Sequence, residues 1–320
     1  MPIHLWMGTR KHSAMHREPS ASNVLIEDQA LRDGLQMEAR IFTLEEKYRL
    51  FEALKAAGLQ RIQVGSFVHP QRVPQMADTE ALVQSIPEGD RPIVSALVLN
   101  EKGLERALAC GLAAVAMSVS VSDTHSRKNA GRPAAAARDA MVPLIRTALS
   151  AGLEVRAGLQ CVFGCVYEGA VAEATVLRAI EQLVQPGVAE ISLADTTGMA
   201  NPLSIRSLVG KVTQAFPHLR IALHLHDTRG LALANMFIGY EAGIRIFDTC
   251  AGGLGGCPFV KGAAGNVPTE DAVHMFESMG IATGIDNARV CEVVAALEDK
   301  LGRRLPGRMT RVRANQDRRD

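Results

Sequence analysis

The segment HLHDT (224–228) ends a short apolar run, IALHLH (221–226), with two imidazoles two residues apart. Alternate side chains of an extended strand share one face, so His224 and His226 project together. A lone histidine is ordinarily a satisfied core or surface residue. Two on one face at a strand's end suit a metal ion, for which imidazole is the commonest ligand. The hexapeptide LRDGLQ (31–36) supplies Arg32 and Asp33, although an Arg–Asp pair alone reads equally well as a solvated turn. The stretch GGLGGCPFVKGAAGN (252–266) sets Cys257 among six glycines and ends in Asn266. Two imidazoles, the Asp33 carboxylate and the Asn266 amide oxygen would form a mixed N/O donor set without a thiolate. That set suits an octahedral ion which keeps water or substrate oxygens, so Mg²⁺ or Mn²⁺ is expected rather than structural zinc. Two histidines and one aspartate also fit the non-haem iron facial triad, the weaker alternative.

Something must hold these groups at one place. Eight short apolar runs alternate with helical patterns: NVLIE (23–27), RIQVG (61–65), PIVSALV (92–98), AVAMSVS (114–120), LEVRAGL (153–159), AEISLAD (189–195), IALHLH (221–226) and RIFDTCA (245–251). The helical stretches include 44–58, 101–111, 133–152 and 172–187, closed by Gly58, Gly111, Gly152 and Gly187 as helix C-termini commonly are. Eight βα units in one chain of this length predict a single α/β domain, a (β/α)8 TIM barrel, over an open doubly wound sheet. In a barrel the chemistry gathers where strands end, and the residues singled out above follow strand runs. An extra helix (288–302) comes after the eighth unit. The expected division is a flexible N-terminal tail (1–21), a barrel (22–303) and a mobile, polar, arginine-rich tail (304–320).

The balance of charge narrows the function. Lys and Arg number 35 against 34 Asp and Glu, so nothing general favours nucleic acid or an anionic membrane. No stretch has the roughly 18 apolar residues of a membrane helix. The N-terminus carries Arg10, Lys11 and Arg17 but no apolar signal core, and reads as a frayed tail before an organelle presequence. A bacterial cytoplasm is expected, with a mitochondrial location second. The six cysteines are spread through a large hydrophobic chain and read mostly as small apolar residues in a reducing compartment. CVFGC (161–165) has no second pair to complete a zinc site.

Taken together, RDGLQ (32–36), GSFVHPQRVPQMAD (65–78), EISLADTTGMANP (190–202), HLHDTRGLALAN (224–235) and GLGGCPFVKGAAGNVPTED (253–271) resemble the 3-hydroxy-3-methylglutaryl-CoA lyases, within the metal-dependent barrel lyases and Claisen synthases. The resemblance spans about residues 22–300. It implies cleavage of a 3-hydroxyacyl-CoA to acetyl-CoA and a keto acid, acetoacetate for the methylglutaryl substrate, and a homodimer. It also implies Asp33, His224, His226 and Asn266 as the metal set, Arg32 beside the thioester oxygen, and Cys257 as the thiol of a mobile loop. Gln36 and Gln63 fall on the substrate side. The chemistry accounts for these residue types: a cation on the tertiary hydroxyl lowers its pKa, a base removes the proton, and a fixed positive charge meets the developing enolate. Asp33 and His224 are both placed as that base. Glycines would let the loop close as a lid that brings Cys257 to protonate the enolate.

Other residues carry two readings. Asp195 and Thr196 read as substrate-side polar groups or as a loop cap. Arg127, Lys128 and Arg132 would meet CoA phosphates or form a solvated charge run. Lys261 reads as solvated. Gln63 departs from the family pattern, which has a glutamate there. It keeps shape and hydrogen bonding but loses charge and proton transfer. Citramalyl-CoA or a longer-chain 3-hydroxyacyl-CoA is therefore the alternative substrate, and a catalytically silent acyl-CoA-binding barrel the alternative class.

Overall fold

The computed structural model describes residues 23–89, 92–256 and 265–316. In chain order its elements are β1 (Leu25–Asp28), α1 (Leu44–Ala56), β2 (Arg61–Ser66), α2 (Thr79–Ser85), β3 (Ile93–Leu97), α3 (Glu101–Ala109), β4 (Ala114–Ser120), α4 (Asp123–Ala130), α5 (Ala134–Ser150), β5 (Glu154–Gln160), α6 (Glu173–Val184), β6 (Glu190–Asp195), α7 (Pro202–Ala215), β7 (Arg220–Leu225), α8 (Ala232–Glu241), β8 (Ile246–Thr249), α9 (Thr269–Ser278), α10 (Asn287–Leu301) and α11 (Met309–Gln316). β1 pairs in parallel with both β2 and β8, so the sheet closes into a (β/α)8 TIM barrel and the open doubly wound alternative is excluded. Among the described residues no helix is long and apolar enough to cross a membrane.

Local chemistry fixes the element ends. Thr43 and Glu46 form a reciprocal capping box at the start of α1, satisfying two backbone donors that the helix leaves open. Asn201 caps α7 with Pro202 in its first turn, where a missing N–H is harmless. The apolar faces of the helices pack on the outside of the barrel, around fully buried Phe51, Phe67, Phe247 and Phe276. The barrel interior is different. Glu27, Arg61, Arg156, Glu190 and Asp248 are each at most 4% exposed and face one another across the strands.

Two irregularities lie beside the strand ends. After β1 the chain makes one π-helical turn, Ala30–Gly34, a wide turn often found at functional sites. On β2 the register with β3 passes from Gln63↔Ser95 to Gly65↔Ala96, so Val64 is a bulge next to Gln63. Bulges re-aim neighbouring side chains.

The expected tail at 304–320 is corrected as far as residue 316. Leu305 is 1% exposed, and its N–H donates to Glu298. Asp271 accepts the backbone N–H groups of Arg308 and Met309, and α11 follows. A buried leucine and a carboxylate cap anchor a segment that composition alone marks as solvated. The N-terminal tail, Cys257 and Lys261 lie outside the described residues, so the expected thiol and lid are not placed.

Candidate active site

The strands' C-terminal ends carry the groups singled out by the sequence. His224 lies one residue before the end of β7 and His226 just past it, with their Nε2 atoms 3.1 Å apart. The π turn presents Arg32 and Asp33 beside them, and Asp33 Oδ2 lies 3.8 Å from His226 Nε2. The return limb of the glycine-rich stretch is stitched across the ends of β7 and β8. Asp227 donates to Gly265 O, Val267 to Leu225 O, and Cys250 to Val267 O. This places Asn266 opposite His226, and its Nδ2 donates to Asp33 Oδ2 over 2.7 Å.

A divalent cation fits this arrangement by geometry and by donor chemistry. One ligand atom each from Asp33, His224 and His226 lie within 4.8 Å of one another. Octahedral ligands about 2.1 Å from an ion stand roughly 3 Å apart when adjacent and about 4 Å apart when opposite. Asn266 Oδ1 is buried with no hydrogen-bond partner among the described residues, an orphan that a cation would satisfy once the amide turns over.

Electrostatics bias the donors toward their binding forms. Burial pushes the His226 imidazole down to about 4, so its ring is neutral at neutral pH. Burial alone would raise the Asp33 carboxyl, but the Arg32 guanidinium, both imidazoles and the Asn266 hydrogen bond hold it well below the usual carboxylate range.

Arg32 is gripped on three sides. Its Nε donates to Gln63 Oε1, Nη1 to Asp33 Oδ1, and Nη2 to Gln29 Oε1 at 2.8 Å. Two of the three partners are neutral amides, so Asp33 is the only carboxylate among them. Gln63 thus keeps the hydrogen bond expected of it without adding charge.

These groups open onto a cavity of about 1050 Å³. Gln36 and Thr196 line it, and Gln36 Oε1 has no hydrogen-bond partner among the described residues. Arg127, Lys128 and Arg132 line its outer end, where Lys128 Nζ also stands 4.8 Å over the Tyr167 ring. Asp195 does not line it. Its carboxylate accepts the backbone N–H groups of Met199 and Ala200, the loop-capping contact among its two readings. Burial raises its carboxyl to about 6.

Sequence reasoning missed three residues at this site. Gln29 holds Arg32. Asp28 Oδ1 accepts from Ala30 N and Oδ2 from Ala251 N and Thr269 Oγ1, joining the π turn to the root of the glycine-rich loop. Asp248 Oδ2 lies 3.4 Å from His224 Nδ1. A signal for Asp248 was present: it is a carboxylate inside an apolar strand run, RIFDTCA.

Comparison with known proteins gives the family. Residues 23–297 match the HMGL-like family model. The chain is similar to the hydroxymethylglutaryl-CoA lyase YngG of Bacillus subtilis, 39% identical over 92% of this chain and 98% of that protein. It is also similar to an (R)-citramalyl-CoA lyase of Chloroflexus aurantiacus, 38% identical over 88% of this chain and 92% of that protein. Among solved structures, an HMG-CoA lyase of Acinetobacter baumannii in complex with coenzyme A and 3-methylmalate superposes with a TM-score of 0.86 at 34% identity, covering 92% of this chain and 96% of that one. A barrel with these strand-end residues, matched along nearly its whole length, belongs to the HMGL-like family of hydroxymethylglutaryl-CoA lyases.

Proposed function

We propose that this chain is a carbon–carbon lyase that cleaves 3-hydroxy-3-methylglutaryl-CoA, or a close branched 3-hydroxyacyl-CoA, to acetyl-CoA and a keto acid. The observation that carries the reading is the convergence of Asp33, His224 and His226 beside Arg32 on the wall of a large cavity. Asp33, His224, His226 and Asn266 would hold a divalent cation, Mg²⁺ or Mn²⁺, which when bound supplies the charge that acidifies a coordinated hydroxyl.

The chain's own residues supply the rest. The hydroxyl proton leaves to Asp33 or His224, the two bases at hand. The bond between the hydroxyl carbon and the thioester α-carbon breaks, leaving a keto acid and the enolate of acetyl-CoA. Arg32, held on three sides, offers a fixed charge to the thioester oxygen where that enolate develops. Cys257 delivers a proton to the enolate carbon. Gln36 and Thr196 contact the acyl portion, where the Gln36 amide can turn its NH₂ toward the substrate's acceptor oxygens. Arg127, Lys128 and Arg132 meet the phosphates of CoA at the outer end of the cavity. A homodimer in a bacterial cytoplasm completes the reading, and light scattering of the purified protein tests the dimer.

A second substrate has its own support. The neutral Gln63 beside Arg32 leaves the guanidinium less neutralised than a glutamate would. Such a pocket suits an acyl group with its negative charge placed differently, as in citramalyl-CoA. A panel of methylglutaryl-, citramalyl- and longer-chain 3-hydroxyacyl-CoA thioesters, ranked by kcat/KM with Mg²⁺, separates the two. Turnover of none of them contradicts the lyase reading.

A further inference from the structure

We propose that Asp248 is a positioning residue that keeps the His224 proton on Nδ1 and leaves the bare Nε2 facing His226 and Asp33, with Arg156 holding Asp248 in place for that task.

The barrel register builds this contact. Asp248 on β8 is the direct partner of His224 on β7 and of Glu27 on β1. Its Oδ2 lies 3.4 Å from His224 Nδ1, while His224 Nε2 points the other way, 3.1 Å from His226 Nε2. A neutral imidazole has one donor nitrogen and one acceptor. An ionised carboxylate only accepts, so the nitrogen facing it carries the hydrogen. The second nitrogen is then a lone pair turned into the site.

Asp248 cannot turn away. It is 2% exposed, and its Oδ1 accepts from Arg156 Nη1 at 2.7 Å. Arg156 is itself fixed: Nε donates to Glu190 at 2.6 Å, and Nη1 lies 3.3 Å from Glu27. Glu190 and Glu27 in turn share Arg61. The orientation of His224 is therefore set by Asp248 and the Arg156 that grips it, under the site rather than within it, while Glu190, Arg61 and Glu27 complete the buried layer behind that pair. A carboxylate behind a ligating histidine fixes tautomer and ring orientation in metal sites generally. Here the carboxylate is braced in its turn by a guanidinium.

Asp248→Asn is nearly isosteric and makes a sharp test. Arg156 has only donors, so it will claim the amide oxygen. The amide NH₂ must then face His224 Nδ1, which becomes an acceptor, and the ring proton moves to Nε2. Glu27→Gln is the control, because it removes a charge from the same layer without touching His224.

Two measurements decide the matter. The first is the ¹⁵N spectrum of His224 without metal at about pH 8, where an ordinary imidazole is neutral. The parent and Glu27→Gln should show the Nδ1–H tautomer, and Asp248→Asn the Nε2–H tautomer. The second is Mn²⁺ titration of folded protein. Asp248→Asn should weaken binding about 10–100-fold, and Glu27→Gln should change it less than about threefold. An Nε2–H tautomer in the parent overturns the proposal, as does an unchanged tautomer in Asp248→Asn or equal weakening by both variants. The affinity arm rests on the metal reading above. A parent that binds no Mn²⁺ would defeat that reading, while the tautomer would still decide the role of Asp248.

Discussion

Asn266 Nδ2 donates to Asp33 Oδ2 over 2.7 Å and to Leu254 O over 3.0 Å, joining the two limbs of the glycine-rich stretch to the π turn. Gly255 makes this approach feasible. Its φ is +90°, and a Cβ there would stand 2.7 Å from Asn266 Nδ2 and 3.0 Å from Asp33 O. Gly255→Ala should therefore push the amide away from the carboxylate and strain the backbone as well. The expected result is Mn²⁺ binding weakened about tenfold or more, with the circular dichroism of the barrel retained. Unchanged affinity would show that the loop limb does not set the site.

Gln63 accepts from Arg32 Nε without bringing a charge of its own. Gln63→Glu adds a second carboxylate to a guanidinium that already contacts Asp33. The substitution should reorder the acyl-CoA panel, raising kcat/KM for the methylglutaryl thioester relative to the citramalyl one by about tenfold or more. If both rates and ranking stay put, Gln63 is a spacer and not a specificity element.

The ionic layer beneath the site should matter for stability through what its loss exposes. Arg61 is buried between Glu27 and Glu190. Arg61→Met leaves two buried carboxylates short of a partner and should cost about 3–5 kcal/mol in denaturant unfolding. The exposed pair Arg49–Glu45 gives the contrast: Arg49→Ala should leave the unfolding midpoint essentially where it is. Similar small effects from both would mean that the layer is well solvated in the unfolded-to-folded balance.

Glu270 predicts a pH dependence of stability. Burial raises its carboxyl to about 8 from an ordinary 4.5. Between those values the folded protein keeps a proton that the unfolded chain has released, so stability falls as pH rises, by up to about 1.4 kcal/mol per unit. Asp28, raised to about 6 by burial, adds a fall at lower pH, while His226, lowered to about 4 from 6.5, adds a rise below 6.5. The window from 6.5 to 8 therefore isolates Glu270 among these three. Denaturation midpoints should fall across it for the parent and stay flatter for Glu270→Gln. Parallel curves would contradict the assignment.

Much of this was legible in the chain. The strand runs differ from the observed strands by only a few residues at either end, because parallel barrel strands are continuous apolar stretches and the helices between them carry their own stop signals. Arg32, Asp33, His224, His226 and Asn266 were legible because motifs at strand ends mark them. Asp248 stood out only as a carboxylate in an apolar run; its role was not legible, because its partners Arg156 and His224 lie on other strands, Arg156 being 92 residues away, and only closure of the barrel joins them. Asp195 kept two readings for the converse reason: a strand-end aspartate reads the same whether it meets substrate or caps its own loop. The tail at 304–316 misled because a single buried leucine and a distant Asp271 outweigh a polar composition.

The most direct measurement is incubation of the purified protein with 3-hydroxy-3-methylglutaryl-CoA and Mg²⁺, with acetyl-CoA and acetoacetate both quantified. The account predicts that the two products form in equal amounts, that chelation with EDTA stops the reaction, and that added Mg²⁺ or Mn²⁺ restores it. Cleavage that proceeds unchanged in EDTA after exhaustive removal of metal, or no cleavage of this or any branched 3-hydroxyacyl-CoA, would contradict it.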